Sequence, residues 1–361
     1  MAYDSAAVGL PQSAKLYPLS KPVKVALFLS ALIAVGFFWA LLTGPMAITF
    51  NDVVKGISGV FSSAEIGGAS DWVVRELRLP RVLIALIVGA GLAVAGAVTQ
   101  GVFRNPLADP GLIGVASGAA LAAVAVIVLS SSLLSGWSAL TGPFALPLAA
   151  FAGGMLVTLV IYRLGTRNGQ THVALLLLAG VAINVLTGAA TGVLTYLADD
   201  QQLRDMTFWS MGSLAHGRWH EILALLLFVL IPLIFVMRYA RVLNALLMGE
   251  QVAGNLGFDI QRSRRWLLAA SALIVGASVA VVGMIGFIGL VVPHLLRLAI
   301  GPDHRSLLPL SALGGALLLL IADTVARTVL APADLPVGLI MALIGGPVFL
   351  ALLLHQAGRW R

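Results

Sequence analysis

Residues 110–162 and 266–296 contain no Asp, Glu, Lys or Arg. Charged residues make up only 10% of the 361 and gather in short clusters between such tracts. A bilayer core takes about 20 apolar residues per helical crossing, so tracts of this length and purity dictate repeated membrane spans. Unpaired backbone polar groups are costly in lipid, and the tracts lack the period-2 alternation of barrel strands, so the spans are α-helical. The fold class that follows is all-α, a polytopic membrane bundle.

Neutral tracts between polar clusters predict about ten spans, near 25–44, 82–102, 111–130, 144–163, 173–197, 221–237, 267–283, 286–300, 307–326 and 337–355. With the amino terminus inside, 15 of the 22 Lys and Arg fall on the cytoplasmic side, Lys15, Lys21, Lys24, Arg264, Arg359 and Arg361 among them. That bias satisfies the positive-inside rule, and an even number of crossings returns the carboxyl terminus to the cytoplasm. The expected organisation is a cytoplasmic tail over 1–24, one transmembrane domain over 25–355 and a cytoplasmic tail over 356–361. The first twenty residues have no apolar core before a cleavage site, so they read as retained. Topology accounts for the net charge of +7, which therefore does not point to nucleic acid. With no cysteine, disulfides, thiol nucleophiles and thiolate metal sites are excluded.

The 39 glycines would be costly in soluble helices, but in lipid small residues let backbones approach closely. Gly89, Ala93, Ala97 and Gly101 form one ridge at i, i+4 spacing, and Gly114 with Gly118 forms another.

Between the sixth and seventh spans lies RYARVLNALLMGEQVAGNLGFDIQRSRR, residues 238–265. Leu243, Leu246, Leu247, Val252 and Leu256 recur at roughly helical spacing, Glu250 follows the turn glycine Gly249, and Gly257 is placed as a helix C-cap. That pattern predicts an amphipathic helical hairpin over 243–260 at the inner membrane face. It either floats in the interface or presents apolar anchors to a cytoplasmic partner.

Two proline-containing segments, residues 78–118 (RLPRVLIALIVGAGLAVAGAVTQGVFRNPLADPGLIGVASG) and 283–305 (GMIGFIGLVVPHLLRLAIGPDHR), together with GEQVAGNLG and its following basic cluster, carry a family signal. In the same order they resemble the permease subunits of bacterial ABC importers for iron chelates, haem and cobalamin. The resemblance runs from the first span to GLIMALIGGPVFLALLL. It implies a homodimer of ten-helix subunits in the bacterial inner membrane, two cytoplasmic ATPase subunits and a periplasmic substrate-binding protein. ATP and Mg would be bound by the partner ATPase, with no permanently bound cofactor here. The chain itself has no G-x-x-x-x-G-K-[ST] and no Gly-Lys dipeptide, so it is not read as an enzyme and no catalytic residue is assigned.

The resemblance also implies roles for individual residues. Arg78, Arg81 and Arg327 at the outer rim match positions that receive acids of the binding protein. Gly249, Glu250, Gln251, Gly254, Leu256, Gly257 and Asp259 match the segment that couples to the ATPase. Asn105 and Leu107, with Thr171 and His172, match the cytoplasmic gate. Asp323 lies four residues before Arg327, which favours an ion pair on one helix face over a proton relay. Met284 and His294 are candidates for the cargo path, since both residue types ligate haem iron, although packed side chains are the simpler reading. His216 and His220 stand in the same position. The outer segment QLRDMTFWSMGSL looks closest to haem permeases, making haem the expected cargo, with a ferric siderophore or cobalamin as the alternative. No resident metal site is expected. An ion-coupled secondary transporter would need intramembrane acids or broken helices forming an ion site near the midplane, which only Asp323 approaches, and an intramembrane enzyme would need a catalytic constellation, none of which is placed within the spans.

Overall fold

The computed structural model describes residues 20–62, 67–130, 132–167 and 170–357. Most of the amino-terminal tail, with Lys15, and the last residues, with Arg359 and Arg361, lie outside the described residues. The chain is a helical bundle whose regular elements follow the apolar tracts: α1 (Lys21–Leu42), α2 (Phe50–Ser62), α3 (Leu79–Phe103), α4 (Val115–Leu129), α5 (Ala145–Gly165), α6 (Val173–Leu197), α7 (Asp200–Met211) and α8 (Trp219–Met237). After these come α9 (Ala240–Leu247), α10 (Glu250–Asn255), α11 (Ile260–Val282), α12 (Ile288–Ile300), α13 (His304–Val329) and α14 (Val337–Ala357). Among the described residues seven helices are long and apolar enough to span a bilayer, and α4, α12 and the apolar part of α14 are shorter. Together they occupy the ten predicted tracts.

Burial sorts the helices. The apolar window containing α3 is 78% buried and that of α6 only 17%, so α3 forms the axis of the subunit while α6 faces outward. The small-residue ridge explains how α3 tolerates neighbours on every side. A methyl group at Gly89 would collide with the Gly315 carbonyl of α13, and one at Gly96 with the Gly289 backbone of α12. Gly118 meets Gly153 in the same way, joining α4 to α5.

Among the shorter spans, α4 and α12 begin at irregular backbone that enters the bundle. Residues 104–114 leave α3 through Arg104 in the left-handed region, and Pro110 reaches the Gly289 backbone at the start of α12. Phe287, also at positive φ, opens α12 and is accommodated by Gly345 of α14. Irregular backbone at membrane depth is tolerable only where protein or a cavity surrounds it. Pro293 withholds the amide that would bond the Gly289 carbonyl, and the Gln100 amide of α3 donates to that oxygen at 3.3 Å and to Leu290 at 3.2 Å.

Further elements fall in segments read from the sequence as connections. Outside the spans lie α2 and α7, the latter started by a capping box between Asp199 and Gln202. Thr166–Arg167 (β1) and Gln170–Thr171 (β2) pair antiparallel between α5 and α6.

Candidate functional site

At one end of the bundle, α9 and α10 form a hairpin whose turn is Gly249 at φ 112. Leu243 and Leu246 point into the core, while Leu247, Met248, Val252 and Leu256 are exposed. Gly257 accepts positive φ and completes a Schellman cap, its N–H on the Gly254 carbonyl and that of Phe258 on Ala253. Gly254 and Gln251 are exposed, and Asp259 caps α11 by accepting from the Arg262 amide at 2.9 Å. The hairpin therefore shows an apolar, solvent-accessible face while its root is fixed in the bundle.

That root reaches the residues matched to the gate. Arg264 of α11, 1% exposed, places Nη2 2.6 Å from the Glu250 carboxylate and donates from Nη1 to the Thr171 carbonyl at 2.7 Å. Thr171 is held on its other side by the Gln261 side chain, which accepts from its amide at 2.9 Å. Arg104 approaches the same Glu250 oxygen at 4.0 Å, so the 104–114 segment and the α5 to α6 connection meet one carboxylate. Asn105 forms a local turn by accepting from the Leu107 amide, and His172 is exposed. Arg264 and Gln261 were legible only as part of a basic cluster, because their partners lie 93 and 90 residues away.

At the opposite end of the bundle, the three matched arginines are less exposed than a docking rim suggests. Arg78 spends its guanidinium on the carbonyls of Leu41 at 2.7 Å, Leu42 at 2.9 Å and Met46 at 2.5 Å. Arg327 donates to the Ala40 carbonyl at 2.6 Å. The carbonyls of the last turn of α1 have no partner within their own helix and carry its negative dipole end, which draws both cations inward. Arg81 grips Asp323 through Nε and Nη2 at 2.9–3.0 Å and Asp334 through Nη1 at 2.6 Å. Asp323 also lies 3.8 Å from Arg327, so the expected pair exists but is the weaker of two. Its main partner is 242 residues away in the chain.

Between these ends is a cavity of about 210 Å³, walled by Leu92 of α3, Val275 and Val279 of α11, Met284, Phe287 and Asp109. Asp109 caps the 3₁₀ turn Pro110–Ile113 through the Gly111 amide at 2.7 Å. It brings a carboxyl group to the wall, which the apolar surroundings in the sequence did not signal. Met284 lines this cavity and His294 does not; His294 is buried on α12, its Nδ1 without a hydrogen-bond partner. A second cavity, of about 490 Å³, opens at the Arg81 end of the bundle beside α7 and includes Trp209, His216, Glu221 and Asp334. Gly212 and Gly283 seat α7 against the Met284 loop, with the Ser213 amide on the Val282 carbonyl at 2.8 Å. Among the described residues no group of three or more metal-ligating His, Asp or Glu occurs.

Residues 32–355 match the family described as the FecCD transport family. Over 284 residues the chain is 52% identical to the hemin transport system permease protein HmuU of Yersinia pestis, covering 78% of this chain and 83% of that one. It is 46% identical over 281 residues to the cobalamin import system permease protein BtuC of Halobacterium salinarum, with 78% and 73% covered. Among solved structures, an inward-facing conformation of a metal-chelate type ABC transporter superposes with a TM-score of 0.79 at 31% identity. That match covers 92% of this chain and 99% of the other.

Proposed function

This chain belongs to the FecCD transport family, and on that premise we propose that it is the permease subunit of an ATP-driven importer that carries haem inward from a periplasmic binding protein. The observation that carries the cargo is the 52% identity to a hemin permease. Cobalamin is the second reading, favoured by the 46% identity to a cobalamin permease.

In this reading one transmembrane domain over 25–355, with both tails in the cytoplasm, pairs with a second copy in the bacterial inner membrane. Two cytoplasmic ATPase subunits bind the nucleotide and Mg. The exposed face of Leu247, Met248, Val252 and Leu256 is the surface on which they push, in the manner of an amphipathic helix seated in a groove. Displacing Glu250 shifts Arg264, and with it Thr171 and the loop of Asn105 and Leu107, so the nucleotide state biases one arrangement of the inner gate over the other. Outside, Arg78, Arg81 and Arg327 orient the binding protein. Its acids would have to compete with Asp323, Asp334 and the α1 carbonyls for those guanidinium groups.

The test is ATP hydrolysis by the reconstituted complex with binding proteins loaded with haem, a ferric siderophore or cobalamin. Stimulation by the haem-loaded protein alone is expected. Stimulation by the cobalamin-loaded protein alone would transfer the assignment, and uptake persisting without any ATPase subunit would overturn the importer reading.

A further inference from the structure

We infer that the cleft between α5 and α11 is a binding site for an anionic phospholipid of the cytoplasmic leaflet. The cleft has a volume of about 260 Å³. Its walls are Met155 and Leu159 of α5 and Leu268, Ala269 and Ala272 of α11. With Tyr162 and Arg265 at its end, the lining runs from 155 to 162 on α5 and from 265 to 272 on α11, so the cleft extends for about 10 Å along both axes. The two alanines leave it open, and the nearby Thr158 hydroxyl is spent on the Ile113 carbonyl at 3.2 Å. Leu159 is 50% exposed, so the cleft opens outward to the membrane rather than into the core.

Its cytoplasmic end is closed by a polar pair. Arg265 donates from Nε to the Tyr162 hydroxyl at 3.2 Å and is otherwise exposed. Among the described residues no carboxylate lies within ion-pair distance of Arg265. Exposed Arg262, Arg163 and Arg167 add to the positive field around it. A cation without an anion, set at the interface above an acyl-sized apolar cleft, is complementary to a lipid with net negative charge. A zwitterionic lipid would bring its own cation to the same place.

Occupancy would reach the gate. The Tyr162 hydroxyl is 3.5 Å from the Thr171 hydroxyl, and Arg264, next to Arg265, holds the Thr171 carbonyl. A headgroup on Arg265 therefore braces the connection that Glu250 pulls. The inference rests on the membrane fold and not on the cargo.

The experiment is native mass spectrometry of the delipidated full-length chain with phosphatidylglycerol, phosphatidylcholine or glycerol phosphate, for the parent, Arg265→Gln and Ala269→Leu. Phosphatidylglycerol is expected to be retained about fivefold better than phosphatidylcholine. Arg265→Gln should erase that preference, and Ala269→Leu should lower retention of both lipids. Equal retention of the two lipids by the parent, or an unchanged preference in Arg265→Gln, would overturn the proposal. So would full competition by glycerol phosphate, which would mark a simple phosphate site. Because the chain has no cysteine, Leu159→Cys gives a clean further readout: crosslinking to a second copy would make the cleft a subunit interface and overturn the lipid assignment.

Discussion

Glu250 and Thr171 share one guanidinium. Arg264 reaches the carboxylate at 2.6 Å and the carbonyl at 2.7 Å from separate nitrogens, and is itself 1% exposed. The planar fork fixes the angle between its two partners as well as their distances, so movement of the hairpin cannot leave the α5 to α6 connection where it was.

Replacing Arg264 with Lys keeps the charge and removes the fork, while Gln removes both. A buried charged hydrogen bond is worth about 1.5–3 kcal/mol. Uptake in proteoliposomes is expected to fall at least about tenfold in both variants while ATP hydrolysis by the complex continues. Hydrolysis and uptake declining in parallel would remove the coupling role.

Gly249 holds φ 112, and its amide donates to the Leu246 carbonyl at 3.1 Å. Proline can meet neither requirement, and alanine meets only the second, because φ 112 with ψ 153 is a region essentially reserved for glycine that costs other residues about 1–3 kcal/mol. Gly249→Pro should abolish uptake and leave hydrolysis unlinked from it, with Gly249→Ala intermediate. Normal uptake in the proline variant would show that the hairpin does not transmit the stroke.

Much of this was readable in the residues because each feature is local. The neutral tracts mark the spans, Gly249 and Gly257 mark the turn and cap, and the Gly89 ridge marks close packing. What escaped is non-local: Arg81 meets Asp323 across 242 residues, and Arg264 meets Thr171 across 93. Helix α2 escaped for a different reason. Asp52 and Lys55 break up its sequence while Val53, Gly56 and Gly59 face the bundle, so no neutral tract announces it.

Asp323 is fully buried against two arginines, whereas the Asp334 side chain is 31% exposed. Removing one partner of a buried pair strands the other charge, at about 3–5 kcal/mol. Asp323→Asn should therefore lower the thermal midpoint in detergent by far more than Asp334→Asn. Equal effects would mean that Asp323 does not hold α3 and α13 together through Arg81.

The link between the hairpin and α13 carries a pH signature. Asp303 accepts from the Arg305 amide at 3.0 Å and the Asn244 side chain at 2.6 Å, which hold its carboxyl below the ordinary carboxylate value. A depressed folded value means the contribution is complete above the unfolded pKa of about 3.9 and is lost as pH falls through the folded one. Asp303→Asn should melt earlier than the parent at neutral pH, and the two curves should converge below about pH 4. A gap independent of pH would assign the effect to packing.

Pro293 and Gln100 form a reciprocal pair: one frees the Gly289 carbonyl and the other supplies its donor. Gln100→Met keeps the side-chain length and leaves that oxygen buried without a partner, an expected loss of about 1–3 kcal/mol. Pro293→Ala restores an amide at the position that normally bonds that carbonyl, so the same Gln100 change should cost less in its background. The coupling is read from the thermal midpoints of the parent, both single variants and the double variant. Strict additivity would show that the Gln100 amide serves another purpose, and a shortfall in the double variant would confirm that it stands in for the bond the proline removes.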